Sequence, residues 1–363
     1  MTAVTVHAAG PALDHGSADG RIVASVLDAL KGRAQVRMHP TGDGRRGVLP
    51  SLLQLTRSGL AGGGLLLRPP GHMPRLYLPL TGSVDLDAAL MLASAARLRG
   101  YRLFVHHVRG HAAGRWLDQR EPRVAWLDRV AGPGTVHVLP SEEQVSRLRW
   151  VYRTQRTAVA APRPVELAPE APLPPRPQRP WTMGLVLDIG PDPAVTDAMN
   201  AFALTSERLG DCRLIVAGAP VRQTHRRHIE DAVERYRGHV TLTGPVTVER
   251  WREVCRELDV LLLPARETDD SWPPAVIEAM AAGVPVIARA AGCMRSLIGE
   301  PGGSVIDTTA DIPRKTLRLV QSWQHDPAIH ADARRRAAHR GRHVADLTRK
   351  QFAAFLDLIA PLP

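Results

Sequence analysis

The sequence contains few cysteines, few aromatic residues and almost no lysine. Its three cysteines among 363 residues, Cys212, Cys255 and Cys293, lack the close spacing of metal ligands, and any disulfide pairing leaves one of them over. We therefore expect a reducing, cytoplasmic compartment and no metal. Aromatic residues make up 4% of the chain, too few for a surface that stacks on nucleic-acid bases.

Long hydrophobic runs are also missing. No stretch of about 18 uninterrupted apolar residues occurs, so we expect no membrane-spanning helix. The first residues, 1–6, read directly into a strand and lack the basic start and apolar stretch of a secretory signal.

The charge is strongly positive, and arginine supplies nearly all of it. The formal net charge is +11, and only three of the 47 basic residues are lysine. A GC-rich genome produces such a bias, but a basic surface also attracts nucleotide phosphates and allows peripheral contact with acidic membranes. Because the arginines are spread over both halves without a basic tract that contains aromatic residues, we expect no nucleic-acid partner.

Strands and helices alternate along the first 160 residues. Apolar patterns predict strands at 3–9, 64–67, 75–80, 102–107 and 135–139, with helices at 21–31 and 84–99. Alternation of this kind predicts a mostly parallel sheet, so we interpret 1–160 as an N-terminal Rossmann-like domain.

A proline-rich linker, 161–180, separates this half from a second one. It holds eight prolines in twenty residues, which cannot support a helix or a sheet ladder. The same alternation then restarts over 181–340, with a final helix at about 341–363 that we expect to pack back on the N-terminal domain. The pattern predicts an α/β protein of two Rossmann-like domains facing each other across a cleft, with ligands beyond the carboxyl ends of the strands. In the second half the predicted strands are 182–188, 213–217, 239–242, 259–263 and 284–288, and the predicted helices are 195–208, 222–237, 248–256 and 273–282, followed by helices within 311–359.

The most informative stretch is 261–288, which reads as strand, loop, helix, glycine stop and strand. Asp270 lies in the loop, Pro273 or Pro274 suits the first helical turn, and Glu278 lies about one and a half turns into the helix. Carboxylates accept hydrogen bonds from neutral diols such as those of ribose and hexoses. The N-terminus of the helix adds N–H groups and a positive dipole end that suit a pyrophosphate.

This stretch resembles the signature of the group 1 glycosyltransferases, a large retaining family with the GT-B fold. The shared pattern is an acid, seven residues, and then Glu-Ala-Met-Ala-x-Gly-x-Pro-Val-Ile-Ala, found here from Asp270 to Ala288. The segments 214–220 and 240–246 resemble the two preceding strands of the family. The resemblance implies that Asp270 contacts the donor sugar and Glu278 holds the ribose, while backbone groups near Gly218, Pro220 and Gly292 contact the diphosphate.

The sequence departs from the family pattern at several positions, and one departure concerns the diphosphate. An Arg and a Lys, five residues apart, usually follow the first strand of the C-terminal domain and neutralise the diphosphate, but 188–193 contains neither. Another cation must replace them in an active enzyme, because charge accumulates on the leaving diphosphate. The candidates are Arg222, Arg266 and Arg289, with Arg163 as a further one. Each could equally be a solvated surface arginine.

In the N-terminal half, His106 and His107 end a predicted strand. A neutral histidine there could bind a hydroxyl or transfer a proton, and plain packing is the alternative. Asp14, His15 and Ser17 lie in the first strand–helix loop, where this fold contacts the acceptor or a phosphate.

Together these features predict a retaining glycosyltransferase. It would move a sugar from a nucleoside-diphosphate sugar to a hydroxyl acceptor, either a natural product or a polysaccharide intermediate. Asp270 and His107 are the predicted catalytic residues, and no cofactor is expected beyond the nucleotide-sugar co-substrate. The alternatives are a catalytically inactive GT-B homologue that acts as a partner or regulator, and a GT-B enzyme of another reaction such as a sugar-nucleotide epimerase.

Overall fold

The computed structural model divides into two units, Met1–Arg163 together with Lys350–Pro363, and Pro164–Arg349. The residues that it describes are 4–11, 18–42, 56–58, 60–61, 63, 74–80, 83–108, 116–117, 119–154, 156–169, 181–187, 194–218, 223–266, 272–307 and 311–362.

The N-terminal unit contains a six-stranded parallel sheet. Its strand order is β2-β1-β3-β4-β5-β6, so the chain reverses direction across the sheet between β1 and β3. In chain order the elements are β1 (Thr5–Pro11), α1 (Ala18–Lys31), β2 (Gln35–Gly42), β3 (Arg75–Leu80), α2 (Ser83–Leu98), β4 (Arg102–His107), α3 (Pro122–Ala131), β5 (Val136–Leu139), α4 (Glu142–Tyr152) and β6 (Thr157–Ala160).

Two apolar clusters, one of which includes the end of the chain, form the core of this unit. Phe352, Phe355 and Ile359 pack in one cluster with residues of β1, α1 and β3. Burying a side chain of this size contributes about 1.5–3 kcal/mol, so these residues stabilise the unit substantially.

The C-terminal unit repeats the same architecture with the strand order β12-β11-β10-β7-β8-β9, again fully parallel. The first strand, β7, therefore lies beside the fourth, β10, and the chain reverses between them. The elements are β7 (Trp181–Val186), α5 (Val195–Leu209), β8 (Cys212–Ala217), α6 (Gln223–Arg235), β9 (Val240–Gly244), α7 (Val248–Glu257), β10 (Val260–Leu263), α8 (Pro274–Ala281), β11 (Val286–Arg289), α9 (Met294–Gly302), β12 (Gly303–Ile306), α10 (Ile312–His325) and α11 (Pro327–Ile359).

Local sequence explains where several helices begin. Ser141 caps α4 by accepting a hydrogen bond from the Gln144 N–H at 3.3 Å, and Glu142 and Glu143 lie in its positive first turn. Thr247 caps α7 and Asp311 caps α10 in the same way, through the N–H three residues on.

The two parallel sheets confirm the predicted fold class. Predicted strands 75–80 and 102–107 agree with β3 and β4, and the helix predicted at 273–282 agrees with α8 to within one residue at each end. The strand predicted at 64–67 lies outside the described residues. The prediction missed β2, β6, β12, α3, α4 and α9. Each of the three missed strands is an edge strand of its sheet. Their residues are less buried than those of the central strands, so their apolar pattern in the sequence is weaker.

Helix α11 packs unusually close to α8. Gly341 on α11 faces the backbone of Ala281, and a Cβ atom built on Gly341 would lie 2.2 Å from the Ala281 nitrogen. Only glycine permits this approach, because the atoms it meets belong to the main chain and cannot rotate away. The position of α8 therefore depends on a glycine sixty residues further along the chain.

We predict that Gly341→Ala destabilises the C-terminal unit by about 2 kcal/mol. Alanine improves helix propensity by roughly 1 kcal/mol, but overpacking against a fixed backbone costs about 1–3 kcal/mol or more, so the clash wins. Urea unfolding of the full chain measures the change.

Gly32→Ala is the control, since a Cβ atom there lies at an ordinary 3.7 Å from its nearest neighbour. Equal stability of the two variants would contradict the close packing of α11 on α8.

Candidate active site

The chain reversal between β7 and β10 places two loops side by side at the carboxyl edge of the C-terminal sheet. One loop leads from β7 to α5 and the other leads from β10 to α8. Open parallel sheets bind their ligands at such a switch point. The connections that follow the two strands pass to opposite faces of the sheet, and a crevice opens between them.

Helix α8 presents Glu278 close to this edge. Strand β10 is fully buried, and the helix begins at Pro274 with Pro273 as its N-cap, so Glu278 is the fifth helical residue. Trp251 of α7 anchors the first turn by donating its indole N–H to the Ala275 carbonyl at 3.0 Å. The helix ends at Ala281, and Gly283 follows its C-cap with a φ of 76°, the left-handed conformation that favours glycine.

The carboxylate of Glu278 is nearly buried and lies beside a cation. The residue is only 9% exposed, and its Oε1 lies 3.4 Å from a guanidinium nitrogen of Arg252, which also donates to the Glu166 carbonyl. Burial and, secondarily, the negative charge of Glu278 raise the pKa of the Cys255 thiol well above its ordinary value. A carboxylate offers about four acceptor sites, so Arg252 and the hydroxyls of a bound diol can share it.

Two arginines converge on the first turn of α5. Arg289, at the end of β11, is buried; its guanidinium donates to Asp197 Oδ2 at 2.6 Å and to the Pro264 carbonyl at 3.0 Å. Arg266, just beyond β10, lies 3.6 Å from the same Asp197 oxygen and is 64% exposed at its side chain. Two guanidiniums and one carboxylate leave a net positive charge next to the N-terminus of α5, where the helix dipole adds to it.

Glycines turn the chain at two further loops of this edge. Gly218 follows β8 with a φ of 103°, and its N–H donates to the Gly244 carbonyl at 2.9 Å. Gly292 has a φ of 51° and immediately precedes Cys293, the N-cap of α9. The Gly218 N–H is therefore engaged within the protein, and what Gly218 contributes is the shape of the turn.

In the N-terminal unit, His106 is a buried core histidine. Its Nδ1 lies 2.7 Å from the Tyr77 hydroxyl, and its ring packs against Phe355. Burial lowers the pKa of His106 to about 3, so the ring is neutral at physiological pH.

His107 begins a chain of hydrogen bonds that ends on a carboxylate. Its Nε2 lies 3.2 Å from His137 Nδ1, and His137 Nε2 lies 3.1 Å from Asp128 Oδ1. Thr154 donates its hydroxyl to the same Asp128 oxygen at 2.7 Å. His107 also packs edge-on against Trp116.

The carboxylate at the end of this chain assigns the protons on both rings. Burial raises the pKa of Asp128, but the hydrogen bonds from His137 and Thr154 outweigh burial and leave the pKa below its ordinary value. The ionised carboxylate only accepts, so His137 donates from Nε2, and in its neutral form it accepts at Nδ1 from His107 Nε2–H. His107 then carries its unprotonated nitrogen at Nδ1, as a base requires.

The comparisons with known proteins agree with this geometry. Residues 187–322 match the family described as "Glycosyl transferases group 1". This range contains helix α8 and the two arginines that pair with Asp197. The chain carries a group 1 glycosyltransferase domain. No curated protein matches the sequence significantly.

Solved structures establish the GT-B fold of the whole chain. A glycosyltransferase from Rickettsia africae superposes with a TM-score of 0.70 at 12% identity, covering 99% of this chain and 98% of that one. Sucrose-phosphate synthase from Thermosynechococcus elongatus gives 0.64 at 15% identity, covering 97% and 100%. HepE from Anabaena, in complex with UDP and glucose, gives 0.67 at 12% identity, covering 97% and 99%.

Several predicted site residues of the glycosyltransferase lie outside the described part of the chain. They are Asp14, His15, Ser17, Pro220, Arg222 and Asp270. The described ones in the C-terminal unit come after the carboxyl ends of its strands: Gly218 after β8, Arg266 and Glu278 after β10, and Gly292 after β11. In contrast, His106 and His107 are buried in the interior of the N-terminal unit. Within the described ranges, no helix is long and apolar enough to cross a membrane. The same ranges hold no group of three or more His, Cys, Asp or Glu side chains that could bind a metal.

Three functional candidates of the glycosyltransferase escaped the sequence analysis: Asp197, Asp128 and His137. The first is an acid in the first turn of a helix, and that position alone was a usable signal. The other two lie nine residues apart on a helix and the next strand, and no local pattern connects them to His107.

We predict that the N-terminal unit of the glycosyltransferase loses stability as pH falls below about 6.5, the ordinary histidine pKa. Burial lowers the pKa of His106 to about 3; burial, followed by repulsion from His137 and His106, lowers that of His107 well below its ordinary value. Below pH 6.5 the unfolded chain protonates both rings while the folded unit keeps them neutral. Stability is thus fully present above about pH 6.5 and falls toward pH 3, by up to roughly 1.4 kcal/mol per histidine per pH unit.

Hydrogen exchange of the β4 amides at pH 7, 6 and 5, corrected for intrinsic rates, measures this loss in the N-terminal unit. His106→Gln should reduce the pH dependence, whereas His339→Gln, at an exposed position of α11, should leave it unchanged. Protection that does not depend on pH would show that these two rings are not buried as neutral groups.

Proposed function

We propose that the protein transfers a sugar from a nucleoside-diphosphate donor to a hydroxyl acceptor, with retention of anomeric configuration. The observation that carries the proposal is Glu278, a nearly buried acid on the helix after β10 at the switch point of a group 1 glycosyltransferase domain. The structure of HepE in complex with UDP and glucose supports a uridine nucleotide as the first donor to test.

In this proposal the C-terminal unit binds the donor. Glu278 accepts hydrogen bonds from the two ribose hydroxyls, and Arg252, 3.4 Å away, pairs with its carboxylate and orients it. Asp270 contacts the donor sugar, as its place in the family signature implies. The turns at Gly218 and Gly292 shape the loops around the diphosphate, and the family resemblance assigns Pro220 to the same site.

The arginines around Asp197 replace the Arg and Lys of the usual family pattern. When the bond between the anomeric carbon and the phosphate oxygen breaks, negative charge accumulates on the diphosphate. Arg266 and Arg289 reach the N-terminus of α5 from neighbouring strands, so the positive charge that 188–193 lacks is supplied in space by β10 and β11. This cluster favours an active enzyme over an inactive homologue, with Arg222 as an additional candidate.

The acceptor binds the N-terminal unit in this proposal. Asp14, His15 and Ser17 lie in sequence between β1 and α1 and serve the acceptor or a phosphate in this proposal. His107 takes part in proton transfer through its unprotonated nitrogen, while His106 supports it from the core. We propose a natural product or polysaccharide intermediate as acceptor, a nucleotide sugar as the only co-substrate with no metal, and a cytoplasmic location, which three buried free thiols support.

We predict that Glu278→Gln weakens binding of UDP or another preferred nucleoside diphosphate by about tenfold or more. A hydrogen bond to a charged group contributes about 1.5–3 kcal/mol, and glutamine retains the volume while losing the charge. Calorimetric titration with UDP, GDP, ADP and dTDP measures the affinities.

Glu230→Gln, at an exposed acid on α6, is the matched control and should bind like the parent protein. Unchanged affinity of Glu278→Gln would contradict the ribose assignment, and absence of binding by all four nucleotides would contradict a donor site.

We predict that Arg266→Ala lowers kcat by roughly tenfold to a hundredfold and changes nucleotide affinity much less. Removing one donor that stabilises transition-state charge costs about 10²–10³-fold in a sealed site, and the exposure of Arg266 reduces this range. Release of nucleoside diphosphate from the donor sugar, with a panel of acceptors, measures kcat.

Arg250→Ala is the control, because Arg250 is a similarly exposed arginine that pairs with Glu253 on α7. Equal rates for the two variants would remove Arg266 from the catalytic machinery. Nucleotide binding without turnover of any donor would favour the inactive homologue.

A further inference from the structure

A second basic site lies in the N-terminal unit, at the C-terminal end of α4. A cavity of about 510 Å³ opens there to solvent. Three of its lining residues are arginines, and an aromatic residue stands beside them: the lining consists of Arg120, Arg149, Trp150, Val151, Arg153 and Thr154. None of these residues belongs to the donor or acceptor machinery proposed above.

Two of the three arginines occupy left-handed backbone conformations. Arg120 has a φ of 51° and Arg153 a φ of 49°, and Ala194 is the only other non-glycine residue with positive φ in the described part of the chain. Arg153 is the C-cap of α4, while Arg120 lies in the turn that the Glu121 N–H closes onto the Trp116 carbonyl at 2.9 Å. Glycine is the usual residue in such turns, and a side chain is unfavourable there. Both of these strained residues line the same cavity.

The neighbouring carboxylates are already committed to other partners. Glu121 binds Arg123 at 2.9 Å, and Asp128 accepts from Thr154 at 2.7 Å and from His137 at 3.1 Å. Arg149 donates one N–H to the Ala158 carbonyl at 3.0 Å, which leaves most of its five donors for other acceptors. Among the described residues, no ion pair neutralises Arg120, Arg149 or Arg153.

Trp150 adds an apolar surface to this positive cluster. Trp150 is 73% exposed, which is unusually high for the largest side chain, and it lines the cavity. Guanidiniums match phosphate oxygens in pairs of parallel hydrogen bonds, and an indole ring covers the carbon skeleton that bears the phosphate. The aromatic ring beside the guanidiniums distinguishes this site from a basic surface that attracts any anion.

The geometry points to a binding site for a phosphate monoester or diester, held by Arg120, Arg149 and Arg153, with Trp150 against the group that carries the phosphate. A soluble sugar phosphate and a phospholipid headgroup share this chemistry. Binding at this site does not require sugar transfer, so its test is independent of the proposed function.

The test uses the full-length double variant Arg120→Gly/Arg153→Gly. Glycine removes both guanidiniums and also relieves the left-handed backbone, so the variant should unfold at the same or a higher urea concentration than the parent. Arg147→Ala, an exposed arginine of α4 that does not line the cavity, is the matched control. The probes are glycerol 3-phosphate and vesicles of phosphatidylglycerol in phosphatidylcholine, with pure phosphatidylcholine vesicles as background.

We expect the parent and Arg147→Ala to bind at least one probe above background, with affinity that falls as salt is added because the site is open to solvent. The double variant should bind at least fivefold more weakly. Binding of glycerol 3-phosphate would identify a soluble phosphate, and binding of the acidic vesicles alone would identify a lipid headgroup.

Three binding results overturn the inference. They are no binding of either probe by the parent, equal binding by the double variant, and an equal loss in Arg147→Ala, which would indicate general surface charge. A double variant that unfolds more easily than the parent would show that the guanidiniums stabilise the fold, and it too would overturn the assignment of these strained arginines to a ligand.

Discussion

The parallel pairing of β7 with β10 is the constraint on which the C-terminal unit depends. Met183 lies opposite Val260 in this pairing. The residues just before them also hold the two strands together, because the Asp259 N–H donates to the Thr182 carbonyl and the Asp259 carboxylate accepts from the Thr182 N–H. Because strands one and four become neighbours, the chain must reverse at this point. The reversal opens the carboxyl edge of the sheet and brings the start of α5 near the ends of β10 and β11. The ion pairs of Asp197 with Arg266 and Arg289 follow from that arrangement.

The charges at this edge are arranged as partly compensated clusters. Glu278 is buried beside Arg252, and Asp197 is shared by two arginines, so no isolated charge is buried in either cluster. Burying a charge without a partner would cost much more free energy than burying these paired charges. The Glu278–Arg252 pair is neutral but keeps carboxylate oxygens that can accept hydrogen bonds from the proposed ribose, whereas the Asp197 cluster keeps one net positive charge at the proposed diphosphate site. A nucleoside diphosphate has the same separation of neutral hydroxyls from anionic phosphates.

The N-terminal unit organises its polar groups differently. Its interior contains histidines that are linked to specific partners, such as Tyr77 for His106 and the Asp128 carboxylate for His137. The proton positions in this chain are assigned by its ionised end, which makes His107 an acceptor at Nδ1. The arginine-lined cavity beside Trp150 lies at the surface of the same unit, and Thr154 both lines that cavity and donates to Asp128. The unit therefore combines a hydrogen-bonded histidine network in its interior with an exposed cationic site.

Local sequence determined the alternation of strands and helices, the bounds of β3 and β4, the helix that begins after Pro273, and the position of Glu278 on it, because caps, prolines, glycine stops and buried strands act within a few residues. It also determined the family signature from Asp270 to Ala288. Local sequence could not predict which distant residues these side chains contact. Asp197 meets Arg289 across 92 positions and His107 meets His137 across 30, and Gly341 determines how closely α11 approaches Ala281. Strand order and register decide such distances, and they are properties of the assembled sheet that no short window of sequence contains.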